Sequence, residues 1–438
     1  MSRSKRALLA IILIFTMLLS LTGCSKTAGG VDGGKKEEVT INFSYPPYGY
    51  DYEKEMAFWE KHISEFEKAN PGIKVEFTVE SWDNVYTKWD QALETGETPD
   101  LGYDCPITAV DYALQDKVLP VTDLVEKLGG AKAFNEGMQA FSANGEWYGV
   151  PHGDASMVLI YRKDILKAAG YDNPPATWDE LVEIAQATNK DGVSGFGFFT
   201  GDGYQSSQVL TGLMMAAGGN MIDKDGNVAL DSPENLKALE LVDKLYNQMK
   251  VVPESTVTWE HSDPANAIGL GKVAMSITWG GYGTLLKDMF PEEYENIGFA
   301  KLPNGPSGHS GSWSGTGGFF IFKDAKHPEE AKKFVEFMSK PELSKEWAMI
   351  SGNVSPFVDI TNDPELTKHE WYRAMQEQSP TQITLGWGHD IIPGDYMCDT
   401  YFAQAMADVT VNKKTPQEAL TKLHQMVEKT IQEANAKK

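Results

Sequence analysis

Gly271-Lys272-Val273-Ala274-Met275-Ser276-Ile277-Thr278-Trp279-Gly280-Gly281-Tyr282-Gly283 is the stretch whose reading decides the fold of this chain. Val273 to Thr278 is a run of apolar and β-tolerant residues of strand length, and it stops at glycines that flank two aromatic residues. The pattern predicts a short buried strand with Trp279 and Tyr282 displayed at its end. Glycine on both sides of the rings permits a tight turn and a close approach of a ligand to the backbone. An open α/β sheet builds its ligand crevice in that place, beyond its strand ends. A strand, a turn and two core aromatics would use the same residues, so the rest of the chain has to decide.

Working outward, strands and helices alternate. Val39 to Phe43 reads as a strand, Tyr52 to Ala69 as an amphipathic helix closed by Asn70-Pro71-Gly72, and Ile73 to Val79 as a strand of strict alternation. A helix around Trp82 to Leu93 leads through Gly96-Glu97-Thr98-Pro99-Asp100 into the strand Leu101-Gly102-Tyr103-Asp104. Strand, helix, strand implies a parallel βαβ unit and an α/β class. At 438 residues the chain exceeds one ordinary core and fits two domains.

Arg3, Lys5 and Arg6 precede an apolar run from Ala7 to Leu21, which is too short and too poorly flanked for a stable membrane span, and Leu21-Thr22-Gly23-Cys24 follows. The tetrad resembles a bacterial lipobox. That resemblance implies a signal peptide over residues 1–23, cleavage before Cys24, a lipid on its thiol, and anchoring outside the cytoplasm on the bacterial cell membrane. Residues 24–38 are polar, rich in Gly and Lys and without periodicity, and read as a flexible tether. The net charge is −23, and more negative still once the signal cations are removed. Such a surface repels nucleic acid and anionic lipid, so no nucleic-acid partner is expected. Beyond Cys24 only Cys105 and Cys398 remain, far apart and in no metal-ligand spacing. A disulfide and two buried thiols are both open readings.

The blocks GETPDLGYD (Gly96 to Asp104), VLPVTDL (Val118 to Leu124), GEWYGVP (Gly145 to Pro151) and IYRKDILKAAG (Ile160 to Gly170) resemble the extracellular solute-binding proteins, family 1, of ABC importers, which include the maltose-binding proteins. So do PPATWDEL (Pro174 to Leu181), GGNMIDKDGNVALD (Gly218 to Asp231), GKVAM (Gly271 to Met275), HPEEAKKFVEFM (His327 to Met338) and TPQEAL (Thr415 to Leu420). Each block is short, but their ordered succession behind a lipobox spans almost the whole mature chain. The resemblance implies a monomer with two α/β lobes, a hinge and an interlobe cleft that holds a carbohydrate and delivers it to the transmembrane subunits of a permease. Lobe one is then expected at 39–151 plus 310–351, and lobe two at 152–309 plus 352–438. The crossings should fall near Gly149 to Ala155 and near Leu302 to Ser312, where Pro, Gly and Ser accumulate.

Sugars offer an apolar C–H face that packs on aromatic rings and a hydroxyl rim that needs many hydrogen-bonding partners. The candidates at strand ends and Gly-rich loops are Tyr48, Asp104, Asp154, Asp202, Gln205, Trp279, Tyr282, Trp313, Trp387 and Tyr396. The resemblance carries Tyr48 to the first strand–helix loop, Asp104 to the end of the PDLGYD block, Asp154 to the first crossing, Asp202 to Gln205 to one ligand loop and Trp279 to Tyr282 to another. Trp59, Trp89, Trp178 and Trp347 sit in helical spacing and read as packing, while Trp82 and Trp259 fit either role. Few cations lie among the candidates, which argues against a strongly anionic ligand.

Asp223, Asp225, Asn227, Asp231 and Glu234 put oxygens at calcium-loop positions, but Val228 occupies the place where the sharp turn needs glycine. Lys224-Asp225-Gly226-Asn227 between apolar runs reads as a hairpin turn instead. No metal and no cofactor is assigned. HExxH, a P-loop and a nucleophile elbow are all missing, since Gly311-Ser312-Trp313-Ser314-Gly315 has Trp at the nucleophile position. The chain therefore reads as a binding protein and not an enzyme. A hydrolase with two cleft carboxylates would announce itself by product release. A non-sugar solute (polyamine, phosphodiester or peptide) and a sensory or adhesive role on the same fold also stay open.

Overall fold

Alternation of apolar and polar residues, closed by recognisable caps, lays out the first half of the molecule. The computed structural model describes residues 38–201, 203–383 and 399–436. The expectations at Cys24, Asp202, Trp387, Tyr396 and Cys398, with the signal segment, lie outside the described residues. β1 (Val39–Tyr45), α1 (Tyr52–Ala69), β2 (Ile73–Val79), α2 (Trp82–Thr95), β3 (Leu101–Asp104) and α3 (Pro106–Leu114) follow in the predicted order. β1 runs two residues past Phe43, because Ser44 and Tyr45 still pair with Thr78 and Val79. Asp51 caps α1 by accepting from the Lys54 amide at 3.2 Å, and Gly96 ends α2 in the left-handed conformation at φ 72°.

The chain then passes through β4 (Val150–Gly153) into β5 (Met157–Arg162), β6 (Ser194–Gly197), α4 (Tyr204–Ala216), β7 (Val273–Trp279) and β8 (Ile297–Ala300), and returns through β9 (Gly317–Ile321). One sheet has the order β2-β1-β3-β9-β4 and the other β8-β5-β7-β6. The β1–β2 and β1–β3 pairs are parallel, as the βαβ reading requires, whereas β9 is antiparallel to β3 and β4. In the second sheet β7 runs parallel to β6 and antiparallel to β5. These sheets are the centres of two lobes.

Each lobe has its own apolar core. Phe43, Trp59, Trp89, Phe319, Phe334 and Trp347 belong to the first, and α5 (Pro328–Met338) and α6 (Pro341–Ser351) pack there. Val273, Met275, Phe196, Leu210 and Trp371 belong to the second, together with α7 (Glu370–Gln378), α8 (Asp399–Thr410) and α9 (Pro416–Asn435). The four tryptophans in helical spacing are all buried. Every residue of β7 is buried, Trp279 included, so that ring belongs to the strand itself and not to the turn after it. Residues 222–228 form the expected hairpin: Ile222 bridges Val228, and Asp223 Oδ1 accepts from the amides of Asp225 and Asn227 at 2.9 and 2.8 Å.

Candidate ligand-binding cleft

The two sheets meet where three passages of chain run side by side. Asp154 follows β4, and its backbone exchanges two hydrogen bonds with Val354, at 2.9 and 2.7 Å. Ser156 bridges Ser314, and the Gly315 amide donates to the Ala155 carbonyl at 2.9 Å. The return passage thus lies beside the first at Ser312 to Thr316, toward the C-terminal side of the stretch expected from composition. The Asp154 carboxylate, fully buried, accepts from Thr316 Oγ1 at 3.0 Å and from Ser379 Oγ at 2.5 Å. Burial pushes its carboxyl above the usual range, and the hydroxyl donors only partly offset this. Both oxygens of Asp154 are therefore engaged inside the chain, at the crossing.

On the lobe-one side, β1 and β3 end in polar and aromatic residues. Asp104 closes β3 and is fully buried; its Oδ1 accepts from Tyr48 Oη at 2.9 Å. Its Oδ2 is buried as well, and Thr108, the Cys105 amide and Tyr86 surround the same carboxylate. Burial raises its pKa too, against donation from Thr108, the Cys105 amide and Tyr48. The Tyr48 ring meets Tyr103 and Trp82 edge-on at 4.9 and 5.0 Å. Trp82 is 41% exposed and donates from Nε1 to the Pro47 carbonyl, so it extends the aromatic rim that its sequence position left undecided.

On the lobe-two side, Trp279 ends β7 with its Nε1 buried and unpartnered, and Thr278 Oγ1 beside it is also unpartnered. α4 adds Gln208 and Thr211, one turn apart, each with a buried oxygen lacking a partner. Gln205 is half-buried in the first turn of the same helix. Tyr282 is buried and its hydroxyl lies 2.6 Å from His261 Nδ1. Trp313 is 3% exposed and packs in the lobe-two core, its short strand paired with Gln382–Ile383. Trp259 is half-buried over Gly197, where a Cβ would come within 2.7 Å of its ring.

The glycines of the opening stretch serve a different end from the expected one. A Cβ at Gly280 would lie 2.4 Å from Met375 Cγ, at Gly281 2.0 Å from Tyr50 Cε2, and at Gly283 2.2 Å from Trp371 Cγ. The close approach they permit is made by side chains of this chain. Tyr50, His261, Gln208, Thr211 and Thr278 escaped the sequence reading. The Tyr48-Gly49-Tyr50 repeat of the aromatic–glycine pattern would have found Tyr50. Gln208 and Thr211 signal themselves only as polar positions on a helix buried nearly all round.

A groove of about 370 Å³ also opens beneath α2, lined by Ser44, Glu80, Lys88, Trp89 and Lys326 among others. Its lining comes wholly from lobe one, Glu80 pairs with Lys88, and Trp89 Nε1 already donates to Ser44 Oγ at 2.9 Å. The interlobe residues, unlike this groove, draw on both lobes. They combine the Tyr48–Trp82 rings with Trp279, whose buried indole N–H has no partner, an unpaired donor costing about 1–3 kcal/mol.

Comparison with known proteins agrees with this geometry. The family model described as bacterial extracellular solute-binding protein matches residues 50–345. A putative binding protein of Brucella abortus (strain 2308) is 28% identical over 297 residues, 66% of this chain and 69% of that protein. The arabinooligosaccharide-binding protein of Bacillus subtilis (strain 168) is 26% identical over 378 residues, 83% of each chain. Among solved structures, maltose-bound MalE3 of T. maritima matches with a TM-score of 0.77 at 23% identity, over 89% of this chain and 99% of that one. With the family model covering more than half of its residues and the two-lobed fold in agreement, the chain belongs to the bacterial extracellular solute-binding proteins.

Proposed function

We propose that this protein captures a sugar or short oligosaccharide between its two lobes and delivers it to the transmembrane subunits of an ABC importer, held at the outer face of the membrane by a lipid on Cys24. The observation that carries the reading is the meeting of the lobes at Asp154–Val354 and Ser156–Ser314, flanked by Tyr48, Trp82 and Asp104 at the lobe-one strand ends and by Trp279, whose buried indole N–H has no partner, at the end of β7. A polyhydroxylated molecule supplies donors and acceptors at once, and its C–H faces suit Trp279 and the Tyr48–Trp82 rim. The relatives named for arabinooligosaccharide and maltose point the same way. Residues 39–153 plus 315–351 then move as one lobe against 155–313 plus 352–438, turning about the passages at Asp154 and Ser314. A ligand drives closure only by contacting both lobes, because affinity for one alone leaves the open–closed balance unchanged.

The test is a thermal-shift screen of the mature protein against mono-, di- and oligosaccharides, with polyamines, phosphodiesters and peptides as comparison. A ligand at about a hundred times its dissociation constant adds roughly 2.7 kcal/mol of stability. Trp279→Ala and Asp104→Asn should then weaken the responding sugar by about ten- to a hundredfold, the value of one stacked ring or one charged hydrogen bond. A response confined to a non-sugar class would overturn the cargo, and unchanged affinity in both variants would overturn the site.

A further inference from the structure

We infer that Tyr50 is an interlobe contact that favours closure before any ligand arrives and so sets the protein's affinity; the inference rests on the reading that capture works by lobe closure. Tyr50 lies in the loop between β1 and α1 of lobe one, yet its ring packs against the core of lobe two, whereas its neighbour Tyr48 packs on the core of lobe one. The ring centroid is 4.6 Å from that of Tyr282 and 5.9 Å from that of His261, the latter nearly parallel at 23°. It fills the space over Gly281, where any side chain would collide with it. The receiving surface is itself fixed, since His261 Nδ1 and Tyr282 Oη lie 2.6 Å apart.

The loop that presents Tyr50 is held as firmly. Glu55, fully buried in the first turn of α1, turns one carboxylate oxygen back onto the loop. That oxygen accepts from the Tyr48 amide at 2.8 Å, from the Gly49 amide at 2.9 Å and from the Tyr45 hydroxyl. A Cβ on Gly49 would already touch the Glu55 carboxyl carbon at 3.1 Å. Glu55 is thus a positioning residue, and the loop reaches across with little conformational freedom left to lose. Lys54 adds a second crossing contact to Asp288 at 3.4 Å, but both groups are exposed and salt screens them, so the ring carries the effect.

Removing one packed aromatic pair shifts a two-state balance by roughly two- to thirteenfold, and apparent affinity scales with the closed fraction. The test measures lobe separation with no ligand present, by pulsed electron resonance between spin labels on the whole chain. Lys132→Cys in lobe one and Lys237→Cys in lobe two carry the labels, with Cys24, Cys105 and Cys398 replaced by Ala. Tyr50→Ala should move the ligand-free distance distribution to longer values, while Tyr50→Phe, which keeps the ring, should retain the short distance. Thermal melting of both variants checks that the lobes stay folded, and His261→Ala, which removes a partner from the exposed side, should open the protein in the same direction. A Tyr50→Ala distribution that superimposes on that of the parent would overturn the inference, as would opening of Tyr50→Phe to the same extent. Neither outcome depends on the cargo, so failure of the sugar screen and failure of this inference are read separately.

Discussion

Replacing Asp154 by Ala separates a hinge tie from a ligand contact. The carboxylate accepts two hydroxyl hydrogen bonds, from Thr316 and Ser379, while its backbone is paired with Val354. Hydrogen bonds to a charged acceptor are each worth about 1.5–3 kcal/mol, which makes a gross loss of roughly 3–6 kcal/mol on truncation. Against this stands the cost of burying the carboxylate at all, visible in the upward push on its pKa. The expected net destabilisation is about 2–4 kcal/mol for Asp154→Ala, whereas Asp154→Asn keeps the shape and one acceptor and should stay within about 1 kcal/mol of the parent. The assay is urea unfolding of the ligand-free protein, followed by titration calorimetry with whatever ligand the screen returns. An Asp154→Ala protein with the parent's urea midpoint and a lost ligand would refute the hinge assignment and restore Asp154 to the ligand shell.

Gly283→Ala tests the glycine run: the backbone conformation there is open to any residue, so only the 2.2 Å collision with buried Trp371 opposes it, and overpacking of this kind costs about 1–3 kcal/mol by urea midpoint. His152 gives the pH dependence. It is 1% exposed among Trp59, Trp347 and Phe319, and desolvation pushes its pKa down to about 3. The folded protein keeps His152 neutral while the unfolded chain takes up a proton near pH 6.5, so this contribution to stability is intact above that value and declines as pH falls toward 3. The loss is about 1.4 kcal/mol per pH unit, or roughly 2 kcal/mol by pH 5. In His152→Asn that part of the acid slope should vanish from urea midpoints measured between pH 7 and pH 5, and an unchanged slope would assign it elsewhere.

What the sequence shows about this fold follows from how locally each element is specified. α1 and β3 are found where alternation and caps put them, because Asp51, the apolar face of Phe58, Trp59 and Phe66, and the stop at Asn70 all lie within a single helix length. Who fills the space over a glycine is not local. Tyr50 arrives from more than two hundred residues upstream of Gly281, and Trp371 and Met375 from some ninety downstream of Gly280 and Gly283, so the same glycines that suggested room for a ligand serve packing. The reading that Trp279 and Tyr282 mark a special place in the chain needs only the strand and its abrupt end. The direction each ring faces needs the second lobe.

Asp104 and Asp154 show why burial by itself does not locate a binding site. Both end a strand or follow one, both are fully buried, and burial raises the pKa of both. They differ in where their partners come from. Asp154 has a hydroxyl on each oxygen and backbone bonds to a third passage, which is what a tie between lobes requires. Asp104 takes its donors, Tyr48, Thr108, the Cys105 amide and Tyr86, from lobe one alone. Tyr282, whose hydroxyl lies against His261, differs in turn from Trp279, whose indole N–H has no partner. In the capture proposed above, Asp104 and Trp279 face the ligand across the cleft, while Asp154 and Tyr282 govern how the lobes come together around it.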